Sequence, residues 1–202
     1  MAYRPNDSFA QRAKREHFAA RSVYKLQEMD ERWGLFRSGD GVIDLGCAPG
    51  SWSQYASQRV GPKGWVLGLD LTEVSHDLPN ATFLQADIYE ADLPALAAQH
   101  GLSLPADVVI SDMAPKTTGM RATDQARSAA LCEYAFYLCQ KGLLAFGGHF
   151  VCKMFEGPDT QPFHELLKQH FSSVHRLRPS STRKSSKEFF FVGRGFTPSK
   201  AD

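Results

Sequence analysis

Asp44-Leu45-Gly46-Cys47-Ala48-Pro49-Gly50-Ser51-Trp52 is the stretch on which the fold turns. It closes a short apolar strand over 42–46 and opens a helix over 50–60. Gly46 and Gly50 bracket the turn between them. Glycine tolerates positive φ and lets a ligand come close to the backbone. A helix opening at Gly50 directs free N–H groups at a carboxylate or phosphate. A strand, a glycine-bounded turn and a helix in that order describe a nucleotide-cofactor turn.

Strand and helix patterns alternate on either side of this turn. Further strands are predicted over 65–70, 81–86, 107–111, 148–154, 173–177 and 188–193. Helices are predicted over 91–100, 123–140 and 163–170, the second with Thr123 or Asp124 as its N-cap. Before the first strand, Val23, Leu26, Met29 and Trp33 recur at helical spacing over 22–33. The alternation predicts an α/β, Rossmann-like fold: a seven-stranded, mostly parallel sheet with helices on both faces. No helix separates the last two strands, which predicts an antiparallel pair at one edge. Neither a repeat nor a linker interrupts the chain. A single domain over 1–202 is expected, with a basic helical extension over about 1–36 and an α/β core over about 37–196. Ligands of such sheets bind beyond the carboxyl ends of the strands.

Composition narrows the class. Of 202 residues, 43% are hydrophobic, enough for a sizeable core. No apolar run approaches the roughly 20 residues that span a bilayer, and the N-terminus lacks a signal-peptide pattern. A cytoplasmic protein with no membrane partner is expected. Cys47, Cys132, Cys139 and Cys152 form no C-x-x-C pair and read as buried hydrophobes in a reducing compartment. The seven histidines are dispersed, so no metal is expected. Net charge is only +1, but it is segregated. Residues 1–27 carry six Lys/Arg against two Asp/Glu, and residues 168–200 carry eight against one. Between them, residues 28–167 carry nine against eighteen. Two basic ends suit a polyanion whose phosphates they neutralise. Ser180-Ser181-Thr182-Arg183-Lys184-Ser185-Ser186-Lys187 fits a phosphate-contacting loop.

The strand ends select the cofactor. Asp70 closes the second strand, where a carboxylate can accept hydrogen bonds from both hydroxyls of an adenosine ribose. Asp87 follows the third strand and is placed to hold the adenine amino group or its loop. A dinucleotide would favour G-x-G-x-x-G, whereas this turn is Gly-Cys-Ala-Pro-Gly, with a proline removing a donor. That counts against a nicotinamide-dependent oxidoreductase. No P-loop motif occurs either. A ligand with adenosine but no phosphates fits better, and S-adenosylmethionine (SAM) is such a ligand.

Four further residues suggest a reaction. Lys153 interrupts the apolar run His149-Phe150-Val151-Cys152-Lys153-Met154-Phe155, and a lysine so placed needs a partner. Asp112 ends Val108-Val109-Ile110-Ser111-Asp112 and is a candidate for that role. Glu188 starts the last strand, and Lys25 lies on the first long helix, one turn beyond Arg21. Together they would form a network of two cations and two anions. Methyl transfer to a ribose 2′-OH requires that hydroxyl to lose its proton as it attacks. A free lysine, with pKa about 10.4, is mostly protonated at neutral pH. Desolvation and a neighbouring ammonium lower that value, while carboxylates raise it.

With these residues assembled, the chain resembles the FtsJ/RrmJ (RlmE-type) family of RNA 2′-O-ribose methyltransferases over about 12–196. The resemblance rests on Ala20-Arg21-Ser22-Val23-Tyr24-Lys25-Leu26, Asp44 to Trp52, and Ser111-Asp112-Met113-Ala114-Pro115. It continues through Asp124-Gln125-Ala126-Arg127-Ser128, Cys152-Lys153-Met154-Phe155 and Ser186-Lys187-Glu188. It implies a SAM-dependent methyltransferase fold, with Lys153 as proton acceptor and Lys25, Asp112 and Glu188 completing the tetrad. It also implies a SAM site lined by Gly50, Trp52, Asp70, Asp87 and Asp112. The implied partner is RNA, with a uridine ribose in the A loop of 23S rRNA on the large ribosomal subunit as target. Lys116 stands where the bacterial group commonly has asparagine and adds a cation near the substrate mouth. Two alternatives remain at this level: a tRNA ribose methyltransferase of the same family, and a non-catalytic RNA-binding assembly factor. A monomer is expected.

Overall fold

Strand alternation puts successive side chains on opposite faces of a sheet, and here it sorts the molecule into two cores. The structure, a computed structural model, describes residues 8–183 and 185–198. Its strands are β1 (Gly41–Leu45), β2 (Trp65–Asp70), β3 (Ala81–Gln85), β4 (Ala106–Ser111), β5 (Leu144–Phe155), β6 (Phe171–Leu177) and β7 (Glu188–Phe196). They form one seven-stranded sheet in the order β3-β2-β1-β4-β5-β7-β6. β1 to β5 run parallel, and β7 is antiparallel to both β5 and β6.

One face carries Val42, Val66, Val108, Ile110, Val151, Phe190 and Val192. It is covered by α1 (Ser8–Arg15), α2 (Val23–Trp33) and α3 (Ser51–Val60), through Ala13, Leu26, Met29, Trp52 and Ala56 among others. The other face carries Ile43, Leu45, Leu67, Val109, Phe150 and Phe191. It is covered by α4 (Leu93–Gln99), α5 (Arg121–Leu138) and α6 (Thr160–His170), with Phe136 packed against the rings of Phe150, Phe163, Phe171 and Phe196. The expected mostly parallel sheet with helices on both faces is thus present, and the last two strands are the expected antiparallel edge pair.

Within that pair β7 lies beside β5, and β6 is the edge strand. Two local readings differ. β5 begins at Leu144, ahead of the predicted 148, with a register shift against β4 between Ala106 and Val108. α5 begins at Arg121, and neither Thr123 nor Asp124 caps it. Its N-cap is Met120, in extended conformation, because the Asp124 carboxylate reaches back to the preceding loop instead.

Candidate active site

The period of two that separates the cores also gathers the site. On the face covered by α2 and α3, β1 presents Val42 and then Asp44, while β4 presents Val108, Ile110 and then the position of Asp112. In the same parity, β2 ends in Asp70 and β5 carries Val151 and then Lys153. Each is a polar residue near the carboxyl end of a parallel strand. β7 runs the other way, so its first residue, Glu188, lies at that same end, opposite Phe155, while Phe190 lies opposite Lys153. Lys153 and Glu188 are therefore diagonal neighbours on one face.

Lys153 is 8% exposed. Its ammonium lies 3.0 Å from Asp112 Oδ1 and donates to the Asp112 backbone carbonyl. That Oδ1 is buried and accepts no well-directed hydrogen bond, so the carboxylate contact is chiefly Coulombic. Lys25 Nζ donates to Glu188 Oε1 at 2.5 Å and sits 5.6 Å from the centroid of the Phe190 ring. Burial raises the Glu188 carboxyl, yet the opposing charge and hydrogen bond of Lys25, with the charge of Lys153, bring it below the ordinary value. The structure thus brings all four of Lys25, Asp112, Lys153 and Glu188 together.

Lys25 is held there by its helix. Asp30, one turn and a half further along α2, is buried and satisfied on every side. It accepts from the backbone of Leu35 and Phe36, from the Tyr55 hydroxyl and from Arg59. Trp52 Nε1 donates to the Ser22 carbonyl at 2.9 Å, and the Ser22 and Ser51 hydroxyls are 2.8 Å apart. Together these bonds lock α2 onto α3.

Two cavities border the tetrad. The first, of about 340 Å³, lies beyond the ends of β1, β2 and β4. Gly46, Asp70, Asp87, Asp112, Tyr89 and Met113 are among its lining residues; none of its lining residues is a lysine or arginine. Gly46 has φ 77°, and a Cβ there would stand 2.5 Å from Met113 Cγ, so the turn admits only glycine without displacement. Asp70 braces the turn, accepting from the backbone of Ala48 at 3.0 Å and Thr72 at 2.8 Å. The second cavity, of about 350 Å³, is lined by Arg21, Lys25, Arg183 and Glu188 with neighbouring serines. Asp112 lines the first, and Lys25 and Glu188 line the second.

Of the residues predicted to bind cofactor, Gly46, Asp70, Asp87 and Asp112 share the first cavity. Gly50 and Trp52 are not on its wall. Gly50, at φ 103°, turns the chain into α3 beneath Val74 and His76. Trp52 is buried behind the site against Phe190. Tyr89 and Met113 were not anticipated; Tyr89 is an exposed aromatic two residues beyond Asp87, which is the signal that could have marked it. Of the basic loop over 180–187, Lys184 lies outside the described residues. Its first residues are tied down: Ser180 donates twice to Glu28 of α2, and Arg21, just ahead of that helix, donates to the Ser181 carbonyl. Among the described residues no cluster of His, Cys, Asp or Glu could hold a metal, and no helix is long and apolar enough to cross a membrane.

A Rossmann-like sheet with a glycine turn, an acidic cavity and a lysine–carboxylate network at its carboxyl edge defines a methyltransferase. Residues 18–196 match the model of the FtsJ-like methyltransferases, and the chain belongs to that family. It is 50% identical over 193 residues to a Bdellovibrio bacteriovorus protein named ribosomal RNA large subunit methyltransferase E, covering 96% of this chain and 98% of that one. A relative of the same name from Nitratidesulfovibrio vulgaris is 48% identical, covering 94% and 93%. A solved Plasmodium falciparum structure, described as a ribosomal RNA methyltransferase, superposes with a TM-score of 0.78 at 26% identity, covering 89% of this chain and 98% of that one.

Asp44 lies beneath the turn and gives a test of the site's electrostatics. It is fully buried; Oδ2 accepts from the Ser53 hydroxyl at 2.6 Å, and Oδ1 has no hydrogen-bond partner. Burial pushes its carboxyl up to about 7, with Asp112 and Asp70 adding to the rise and Ser53 opposing it. An unfolded aspartate titrates near 3.9. Between about pH 4 and 7 the folded chain therefore keeps a proton that the unfolded chain releases, and this residue's contribution to stability falls as pH rises through that window. Asp44→Asn keeps an acceptor for Ser53 and removes the titration. Denaturant melts of the cofactor-free protein at pH 5 and pH 8 should show the variant gaining on the wild type at the higher pH, by on the order of 1 kcal/mol per pH unit crossed. A difference that does not change with pH would contradict the buried, protonated Asp44.

Proposed function

We propose that this methyltransferase transfers the methyl group of SAM to a ribose 2′-OH of large-subunit ribosomal RNA, acting in the cytoplasm. The observation that carries the reading is the opposite character of the two cavities on either side of the tetrad. The first has three aspartates and no cation among its lining residues. That suits a cationic adenosyl ligand with hydroxyls to bind and no phosphates to neutralise. The second has two arginines and a lysine against one glutamate, which suits an RNA backbone. When bound, SAM supplies a methyl group on a sulfonium centre. Asp70, Asp87 and Asp112 are the residues proposed to hold it, with the turn at Gly46 and Ala48.

Lys153, in its unprotonated form, is proposed to accept the proton of the 2′-OH as the oxygen attacks the methyl carbon. The ammonium that results is held by Asp112 from the cofactor side, and Glu188, itself paired with Lys25, frames it from the RNA side. The chain's own work is then to exclude water around Lys153 and align the hydroxyl for in-line attack. The names of the relatives above support the large subunit as substrate, and a uridine of the 23S A loop is the expected target.

Two measurements test this. Radiolabelled methyl transfer to undermodified large ribosomal subunits, followed by nucleotide mapping, should find one ribose 2′-O-methylated uridine. Methyl groups on bases, or on tRNA and not on the subunit, would contradict the reading. Arg183→Glu should weaken RNA binding and lower the slope of log affinity against log salt by about 1, as expected for one lost phosphate contact. An unchanged slope would remove Arg183 from the RNA surface.

A further inference from the structure

We propose that the loop over 116–121 is an unstacking lip for the RNA, with Met120 as its wedge. The inference rests on the ribose-methylation reading and concerns how the target nucleotide reaches Lys153. That lysine is 8% exposed, at the floor of the site. A nucleotide stacked between its neighbours cannot bring its 2′-OH to such a depth, so it must swing out of the stack against the stacking with its neighbours. Proteins that open a stack commonly insert an apolar side chain, methionine included, into the gap.

Met120 is placed and held for that task. It is 63% exposed, one of few large apolar side chains so presented. Its loop leads from the cofactor cavity, whose wall includes Ala114, to the start of α5. There Gln125 packs against Gly157 and donates to the Glu156 carbonyl, just past the end of the strand that carries Lys153. The loop thus lies between the mouth of the first cavity and the carboxyl end of β5.

Its shape is fixed from within. Asp124 Oδ1 accepts from the Thr118 amide at 2.7 Å and the Thr118 hydroxyl at 2.9 Å, and Oδ2 accepts from the Gly119 amide at 3.2 Å. The Met120 amide donates to Thr118 Oγ1 at 3.2 Å, and Arg127 donates to the Lys116 carbonyl at 3.3 Å. These bonds hold the loop without using the Met120 side chain, which is left in solvent. Lys116 and Arg121 are exposed on either side of it. An apolar tip between two cations matches a stacked RNA strand, with the cations on phosphates and the tip against bases.

The test compares Met120→Ala and Met120→Leu with the wild type on undermodified large ribosomal subunits. Met120→Ala should lower kcat/KM for the subunit about tenfold, with KM for SAM and the melting temperature unchanged. Met120→Leu, which restores apolar bulk, should stay within about twofold of the wild type. Full activity of Met120→Ala, an equal loss in both variants, or a raised KM for SAM would each overturn the wedge. Absence of transfer by the wild type itself would instead overturn the ribose-methylation reading, and the wedge with it.

Discussion

A lysine in the middle of a sheet must be compensated, and the pairing of Lys153 with Asp112 is the constraint around which the site is arranged. Removing both charges from water is costly, and their attraction offsets that cost only with close geometry and further partners. β4 and β5 supply the geometry: they are adjacent and parallel, so their carboxyl ends come together and Asp112 meets Lys153 at 3.0 Å. β7 supplies Glu188 from the opposite direction, and α2 supplies Lys25 to balance it. Two cations and two anions then share one water-poor wall. Such a network is weak grounds for stability by itself. Its value lies in what it separates: an acidic cavity on one side and a basic one on the other.

Much of the scaffold serves to keep that wall in place. The buried Asp30 ties α2 to the chain that follows it and to α3, and so fixes Lys25. Trp52 and Ser51 tie the first turn of α3 to the start of α2, so the cofactor turn and the Lys25 helix move as one piece. Asp70 gives one carboxylate oxygen to the turn, at Ala48, and the other to its own loop, at Thr72. A residue that reads as a ligand contact is here also part of the frame, because a carboxylate has several acceptor sites to share.

The fold was legible because its strands are apolar runs with helical spacing between them, and β1, β2 and β4 run into Gly46, Asp70 and Asp112. The acids at the ends of β2 and β4 followed from the rule that ligands bind beyond such ends. Glu188 was harder: it begins its strand, and only the insertion of β7 between β5 and β6 turns a strand start into a neighbour of Lys153. The meeting of Arg21 with Arg183 depends on how the chain beyond β6 folds back onto α2 through Ser180 and Glu28, which no local pattern encodes. Trp52 enters the cofactor set only through the family resemblance, and its ring packs inward against Phe190. Asp124 reads as a cap because acids favour helix starts, but its carboxylate satisfies the loop amides first.

The central claim is that Lys153 takes the proton from the ribose hydroxyl, rather than only holding charge near it. Single-turnover methyl transfer by Lys153→Arg separates the two roles. Arginine keeps a cation and a donor for Asp112 but stays protonated at any working pH. The account predicts a loss of about 10²-fold or more in the transfer rate, with SAM affinity retained. A Lys153→Arg enzyme that transfers methyl groups at close to the wild-type rate would contradict it.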